Sequence, residues 1–319
     1  MKKQKRSLVF NLGSNDILAK EISKALKIKL SPVAVSCFSD GEQHIQLGEN
    51  CRNANVFLIQ STGQPDSNFI RLTLAIDAAR RASAKEITAI IPYFGYSRQE
   101  KKTHSRTPIS ARVFSTILET FGVNRVLTMD LHTKAIEGFF LKTIVDHLYG
   151  RREFVKVLKK DFKKELKKNN IVIVAPDTGG ANNARSFGIR LLDNPNLAII
   201  NKGREKANHI SYMELVGDVK GKIAIIVDDI ADTCGTLVSA AKLLKENGAT
   251  RVIAVVTHGI FSGDALAKIK DSNIDTLYVS NTIETPNLPK KIKVVSMAKF
   301  FAEVIKRVDV GDSVSELFR

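Results

Sequence analysis

The stretch IAIIVDDIADTCGTLVSAAKLL at 223–244 holds a complete βα unit. Five aliphatic residues, Ile223 to Val227, form the kind of run a strand shows when both its faces are covered. The run passes straight into two acids, Asp228 and Asp229. A turn of small and hydroxyl residues follows, Asp232-Thr233-Cys234-Gly235-Thr236, and opens a helical GTLVSAAKLLKENG. Outward from it the same alternation covers nearly the whole chain. VFNLG (9–13), VFLIQS (56–61), ITAIIPYF (87–94), VLTMDL (126–131), IVIVAPD (171–177), LAIINK (197–202), VIAVVTHGIF (252–261) and TLYVSN (276–281) are apolar runs of strand length. Helical patterns of about 10–15 residues separate them. The class predicted is α/β, with doubly wound, mainly parallel sheets.

The chain has 319 residues, about two domains' worth. Its halves also resemble each other. RASAKEITAIIPYFGYS (81–97) and NGATRVIAVVTHGIFS (247–262) share a helix end, a buried strand and a loop containing Phe and Gly. This reads as a duplication, with two tandem α/β domains at 1–148 and 149–319. The last helix, SMAKFFAEVIKRV (296–308), is amphipathic, and the tail near 309–319 is expected to pack back on the first domain.

Apolar residues make up 44% of the chain and charged residues 26%, as in globular proteins with a proper core. No apolar run reaches the roughly 20 residues needed to span a bilayer. The N-terminal MKKQKRSLVFNLGSND is broken by Asn11, Ser14 and Asn15, so it does not read as a secretory signal. Cys37, Cys51 and Cys234 form no CxxC pair, which points to a reducing, cytoplasmic compartment. Charge is the outlier: 49 Lys and Arg against 33 Asp and Glu give +16. Such a surplus suits polyanionic partners, phosphorylated metabolites included. Much of it lies in GRREFVKVLKKDFKKELKKNN (150–170), where Phe154, Leu158, Phe162 and Leu166 predict one buried helix face with lysines opposite. A solvated surface helix explains that segment. No zinc-finger spacing, ribonucleoprotein motif or interleaving of aromatic and basic residues supports nucleic acid.

Ligands of such sheets bind beyond the carboxyl ends of the strands. At 228–236 the turn and the helix N-terminus offer backbone N–H groups as an anion cradle, and Thr233 and Thr236 add hydroxyl donors. The adjacent carboxylates suit a sugar phosphate, because they can accept bonds from vicinal hydroxyls or hold Mg²⁺ through water. An ordinary N-capped helix needs only one of these residues. Asp130 and His132 stand two apart at another strand end, where a lone histidine is more often structural than functional. Neither a GxxxxGK[ST] nor a GxGxxG pattern occurs, so any nucleotide is held by something else. Arg98 can grip phosphate through a bidentate fork, and Gln99 can read a base edge.

VDDIADTCGT resembles the phosphoribosyl-pyrophosphate (PRPP) loop of type I phosphoribosyltransferases and of PRPP synthases. FSDGE (38–42), ASAKEITAIIPYFGYSRQEKK (82–102), SRTPISAR (105–112), MDLHTKAIEGFF (129–140), APDTGG (175–180), NKGREKAN (201–208), VGDVKGK (216–222) and THGIFSG (257–263) extend the likeness to class I ribose-phosphate diphosphokinases over essentially the whole chain. DLHxxxIxGFF is the most diagnostic of these.

The resemblance implies two sheets of the type I phosphoribosyltransferase kind. It also implies transfer of the β,γ-diphosphoryl group of ATP to O1 of ribose 5-phosphate, giving PRPP and AMP. It assigns ATP binding to Phe38, Asp40, Gly41, Glu42, Arg98, Gln99 and His132, and Mg²⁺ to His132 and Asp177. Ribose 5-phosphate falls to Arg204, Asp228, Asp229, Asp232, Thr233, Cys234, Gly235 and Thr236, and catalysis to the cations Lys202 and Arg204. The implied active site lies where the domains meet, its FSDGE loop donated by a neighbouring subunit of a homo-oligomer, a hexamer in the family. An effector site for phosphate and ADP is implied at Arg52, Ser83, Arg106, Ser313, Ser315 and Phe318. Gly203 and Asn50 depart from the residues common in relatives, and Glu100 replaces the usual Asp. No dedicated general base stands out. A phosphoribosyltransferase, or a non-catalytic synthase-associated subunit, is the alternative; no membrane or nucleic-acid partner is expected.

Overall fold

The computed structural model describes residues 6–168, 170–203 and 212–318. The chain divides into two compact units. Unit 1 takes the residues up to Tyr149, the short segment Thr282–Glu284, and everything from Met297 onward. Unit 2 takes Gly150–Asn281 and Thr285–Ser296.

Unit 1 comprises β1 (Ser7–Asn11), α1 (Asp16–Leu26), β2 (Val33–Cys37), β3 (Gln43–Leu47), β4 (Asn55–Ile59), α2 (Ser67–Arg81), β5 (Glu86–Ile91), α3 (Ser110–Phe121), β6 (Arg125–Met129) and β7 (Ile144–Leu148) before the chain leaves it. Its sheet runs β1-β4-β5-β6-β7, with every neighbouring pair parallel. Alternation along β1 shows why the runs are continuous. Leu8 and Phe10 join the cluster built with Phe69 and Leu72 of α2 and Leu118 of α3, while Val9, on the other side of the pleat, is fully buried as well. β2 and β3 form a separate antiparallel hairpin.

Unit 2 comprises α4 (Arg151–Asp161), α5 (Lys163–Lys167), β8 (Ile171–Ala175), α6 (Ala181–Leu191), β9 (Asn196–Gly203), β10 (Tyr212–Val216), β11 (Ile223–Ala231), α7 (Gly235–Glu246), β12 (Arg251–Gly259), α8 (Ala265–Asp271), β13 (Thr276–Ser280) and β14 (Ile292–Val295). Its seven strands are ordered β10-β9-β8-β11-β12-β13-β14, and only the β10–β9 pair is antiparallel. β11 is central, flanked in parallel by β8 and β12. The repeated stretches occupy equivalent places. In unit 1 α2 carries the chain from β4 to its parallel neighbour β5, and in unit 2 α7 carries it from β11 to β12.

Two expectations change. The basic segment is not one helix: α4 stops at Asp161 and Phe162 adopts φ −116°, ψ 27° before α5 begins. Phe154, Leu158 and Phe162 are buried, but Leu166 is only half-buried, so the stripe ends with the break. The return to unit 1 also starts earlier than the tail. α9 (Ala298–Val310) buries Phe300, Phe301, Val304 and Ile305, and α1 packs against it. Asp309 accepts hydrogen bonds from the Ser7 hydroxyl at 2.6 Å and from Asn55 Nδ2 at 2.9 Å, fastening α9 to the starts of β1 and β4.

Candidate active site

In unit 2 the carboxyl end of β11 carries the acids. Asp228 Oδ1 accepts the Asp229 N–H at 2.9 Å. The Asp228 carboxyl is pushed well above its usual range, first by burial and then by the charges of Asp229 and Asp177. Asp177 stands just past the end of β8, the parallel neighbour, so the topology gathers the three acids at one sheet edge. Asp177 Oδ1 also accepts the Gly180 N–H at 2.9 Å, which folds the Thr178-Gly179-Gly180 turn over the start of α6.

The turn after β11 bends at Cys234, whose φ of +60° lies in the left-handed region. Gly235 needs no such freedom. A Cβ there would meet no atom within 4 Å, so the space over the first turn of α7 is open. The Cys234 carbonyl accepts the Val238 N–H at 3.0 Å, while the amides before it are not needed for the helix ladder. Burial, with the Asp232 charge behind it, pushes the Cys234 thiol up to about 11. Cys234 is therefore a neutral packing group rather than a thiolate. Thr233 is exposed and Thr236 half-buried. Lys202 stands next to the end of β9, opposite Met213 of β10; its side chain, and the whole of Arg204, lie outside the described residues.

In unit 1 the FSDGE segment is the tip of the β2–β3 hairpin. The Phe38 carbonyl accepts the Gly41 N–H at 2.9 Å, Gly41 takes φ +99°, and Asp40 Oδ1 accepts the Glu42 N–H at 3.0 Å. The tight turn leaves Phe38 59% exposed with its ring edge towards His44, an aromatic surface available for stacking. Arg98 and Gln99 follow β5 and are exposed. The Gln99 side-chain oxygen is taken by the Ser110 hydroxyl at the start of α3, which leaves its amide N–H₂ for a ligand. Tyr96 anchors this loop: its hydroxyl donates to Asp66 at 2.6 Å and its ring stacks on Phe114 at 4.1 Å.

His132 is exposed on the loop that leaves β6. The chain turns at Asp130, φ +36°, whose N–H is held by the Leu148 carbonyl at 2.9 Å. Sequence reasoning missed the residue that supports the loop, His147 of β7, because it stands fifteen positions away and belongs to no recognised motif. The effector candidates lie on several loops of unit 1. The Ser83 carbonyl accepts the Asn53 N–H at 2.9 Å, which brings Arg52 and Ser83 onto neighbouring loops. Ser313 and Ser315 sit together beyond α9, where Ser313 Oγ accepts the Ser315 N–H at 3.3 Å. Arg106 lies on the loop between β5 and α3, and the Phe318 side chain is not among those described.

A family model described as the N-terminal domain of ribose phosphate pyrophosphokinase matches residues 7–122. A second, the phosphoribosyl synthetase-associated domain, matches 202–319. The chain is 46% identical over 308 residues to ribose-phosphate pyrophosphokinase A of Dictyostelium discoideum, with 94% of each chain covered. It is also 46% identical to the ribose-phosphate pyrophosphokinase of Caldanaerobacter subterraneus subsp. tengcongensis, with 97% of each covered. The crystal structure of phosphoribosylpyrophosphate synthetase from Mycobacterium smegmatis superimposes with a TM-score of 0.89 at 33% identity, covering 96% of this chain and 100% of that one.

Proposed function

The chain belongs to the ribose-phosphate pyrophosphokinase family, and from that premise we propose how its own residues carry the family's reaction. The enzyme is a transferase that moves the β,γ-diphosphoryl group of ATP to O1 of ribose 5-phosphate, yielding PRPP and AMP for nucleotide biosynthesis. What carries the residue-level reading is the turn at 228–236. It pairs open backbone amides with strand-end carboxylates, in a chain that matches its relatives along its whole length.

The 5-phosphate is an anion held by the amides and hydroxyls of Thr233 to Thr236, the arrangement that helix N-termini favour. Asp228 and Asp229 accept the sugar hydroxyls, and Cys234 keeps the turn packed from below. On unit 1, Phe38 stacks on adenine, with Asp40 and Glu42 at its amino edge or ribose. Arg98 grips phosphate, and Gln99 offers its free amide edge. Lys202 and Arg204 neutralise the transferring phosphoryl oxygens. The reaction needs attacking oxygen and β-phosphorus in line, and fixed cations act on the charge that develops there.

The fit to Mg²⁺ rests on oxygen donors. Burial first, and then the charges of Asp229 and Asp177, raise Asp228, and a dication relieves the part of that shift that is repulsion. Among the described residues no group of three or more His, Cys, Asp or Glu forms a cage for a metal. Mg²⁺ does not require one, since it is commonly held by one or two carboxylates, waters and substrate phosphates. Asp177 would hold the ion, which supplies charge neutralisation at the phosphates. His132 carries nitrogen donors, better matched to a phosphate oxygen or a bound water than to a hard cation.

No helix among the described residues is long and apolar enough to cross a membrane, and we place the enzyme in the cytoplasm. Assembly into a homo-oligomer, a hexamer, and control by phosphate and ADP through Arg52, Ser83, Arg106, Ser313, Ser315 and Phe318 complete the proposal. Incubation with ATP, Mg²⁺ and ribose 5-phosphate, with and without inorganic phosphate, should release AMP in step with PRPP. No AMP under any condition refutes the catalytic reading. PRPP consumption with a nitrogenous base would point to a phosphoribosyltransferase instead.

A further inference from the structure

His147 sits on β7 in register with Thr128 of β6 and is buried. Its ring makes two bonds. Leu131 N–H donates to Nε2 at 2.9 Å, and Nδ1 lies 2.7 Å from Glu137 Oε1. A backbone amide can only donate, so Nε2 carries no proton. The single ring proton is then on Nδ1 and is donated to the Glu137 carboxylate. The Tyr149 ring rests against the imidazole, centroids 4.5 Å apart. Leu131 immediately precedes His132, and Glu137 lies on the 3₁₀ turn Lys134–Phe139 that follows it. One imidazole therefore ties down both sides of the loop carrying His132. The loop needs holding, because Asp130 departs from β6 at φ +36°, a region sparsely used by residues other than glycine.

We propose that His147 is a positioning residue: by accepting the Leu131 N–H while donating to Glu137, it sets the place of His132 against the phosphates of ATP. The inference rests on the reading of His132 as part of the ATP site, and it adds a residue that acts only through that side chain. A role of this kind differs from general packing. It predicts a loss confined to one substrate, a requirement for an acceptor atom, and no effect once His132 is gone.

The test compares His147→Phe, which keeps a ring without an acceptor, with His147→Gln, whose Oε1 reaches about as far as Nε2. Supporting chemistry around ligating groups is typically worth about 10–100-fold in affinity or activity. His147→Phe should therefore lose about tenfold or more in kcat/KM for ATP while KM for ribose 5-phosphate stays put. The Leu131 amide should exchange faster with solvent deuterium, and His147→Gln should restore most of both. The double variant His132→Ala/His147→Phe should be no worse than His132→Ala alone. Normal ATP kinetics in His147→Phe, an equal loss for both substrates, or a double variant showing the product of the single losses would each overturn the proposal. An unimpaired His132→Ala overturns the role of His132 itself, a distinct failure that removes the route by which His147 acts.

Discussion

Asp228 accepts the backbone N–H of Asp229 at 2.9 Å, yet its carboxyl stays well above the ordinary 3.8 because burial and the charges of Asp229 and Asp177 outweigh that bond. Such a group binds its proton more readily in the folded chain than in the unfolded one. From the unfolded value up to the raised folded value, stability falls as pH rises, so at neutral pH the charge opposes folding. Asp228→Asn should therefore melt higher than the parent in Mg²⁺-free neutral buffer, at about 2–4 °C for each kcal/mol relieved, and the advantage should shrink in acid. The same variant should bind ribose 5-phosphate poorly, a trade of stability against function. Calorimetry across pH and titration with ribose 5-phosphate check both halves; a lower melting point at neutral pH contradicts the first.

Cys234 holds its positive φ with a buried side chain, so two substitutions there separate backbone from packing. Glycine takes that conformation at no steric cost, whereas a β-branched residue does not. Cys234→Gly should keep kcat with a modest drop in stability. Cys234→Val should lose stability, because a β-branched side chain fits the left-handed region worse than the cysteine does, and should raise KM for ribose 5-phosphate more than KM for ATP. Equal kinetics in the two variants would mean that the bend does not shape the phosphate cradle.

Lys202 is the penultimate residue of β9, where its backbone pairs with Met213. Its proposed task is electrostatic and is felt in the transition state. Lys202→Ala should lower kcat by about 10²-fold or more, the scale seen when a preorganised charge donor is removed. KM values and the sedimentation profile should change little. A near-normal rate would remove Lys202 from the catalytic group.

The fold was legible wherever burial on both faces forces uninterrupted Val and Ile, as in Ile171–Ala175 and Ile223–Val227. It was illegible at edges. QHIQL and YMELV mix polar with apolar residues, since the hairpin strand β3 and the edge strand β10 each have a side open to solvent, and strand pairing rather than hydrophobicity defines them. IVDHL sets two polar residues side by side after Ile144 and Val145, which hides both β7 and the buried His147. Strand-end acids were readable because topology places ligands there. Partners remote in sequence, such as His147 for Leu131, follow only from sheet register.

Glu119 of α3 is another such partner. Its Oε1 accepts the N–H groups of Leu141, Lys142 and Thr143 at 2.9, 2.5 and 2.8 Å, closing the segment between the His132 loop and β7. Arg112, two turns earlier on α3, donates to the Phe139 carbonyl just before that segment. Burial by itself would raise the Glu119 carboxyl, but the three amides more than offset it and hold the group below its usual 4.5. A lowered folded value means that the stabilisation is fully present above the unfolded value and fades as pH falls through the folded one. Glu119→Gln keeps the shape and removes the charge, so it should cost about 1–2 kcal/mol at neutral pH, the scale of hydrogen bonds to an ionised group. Urea unfolding of parent and variant should then converge in acid below about 4.5. A gap that stays constant across pH would show that the amides respond to the shape of the side chain rather than to its charge.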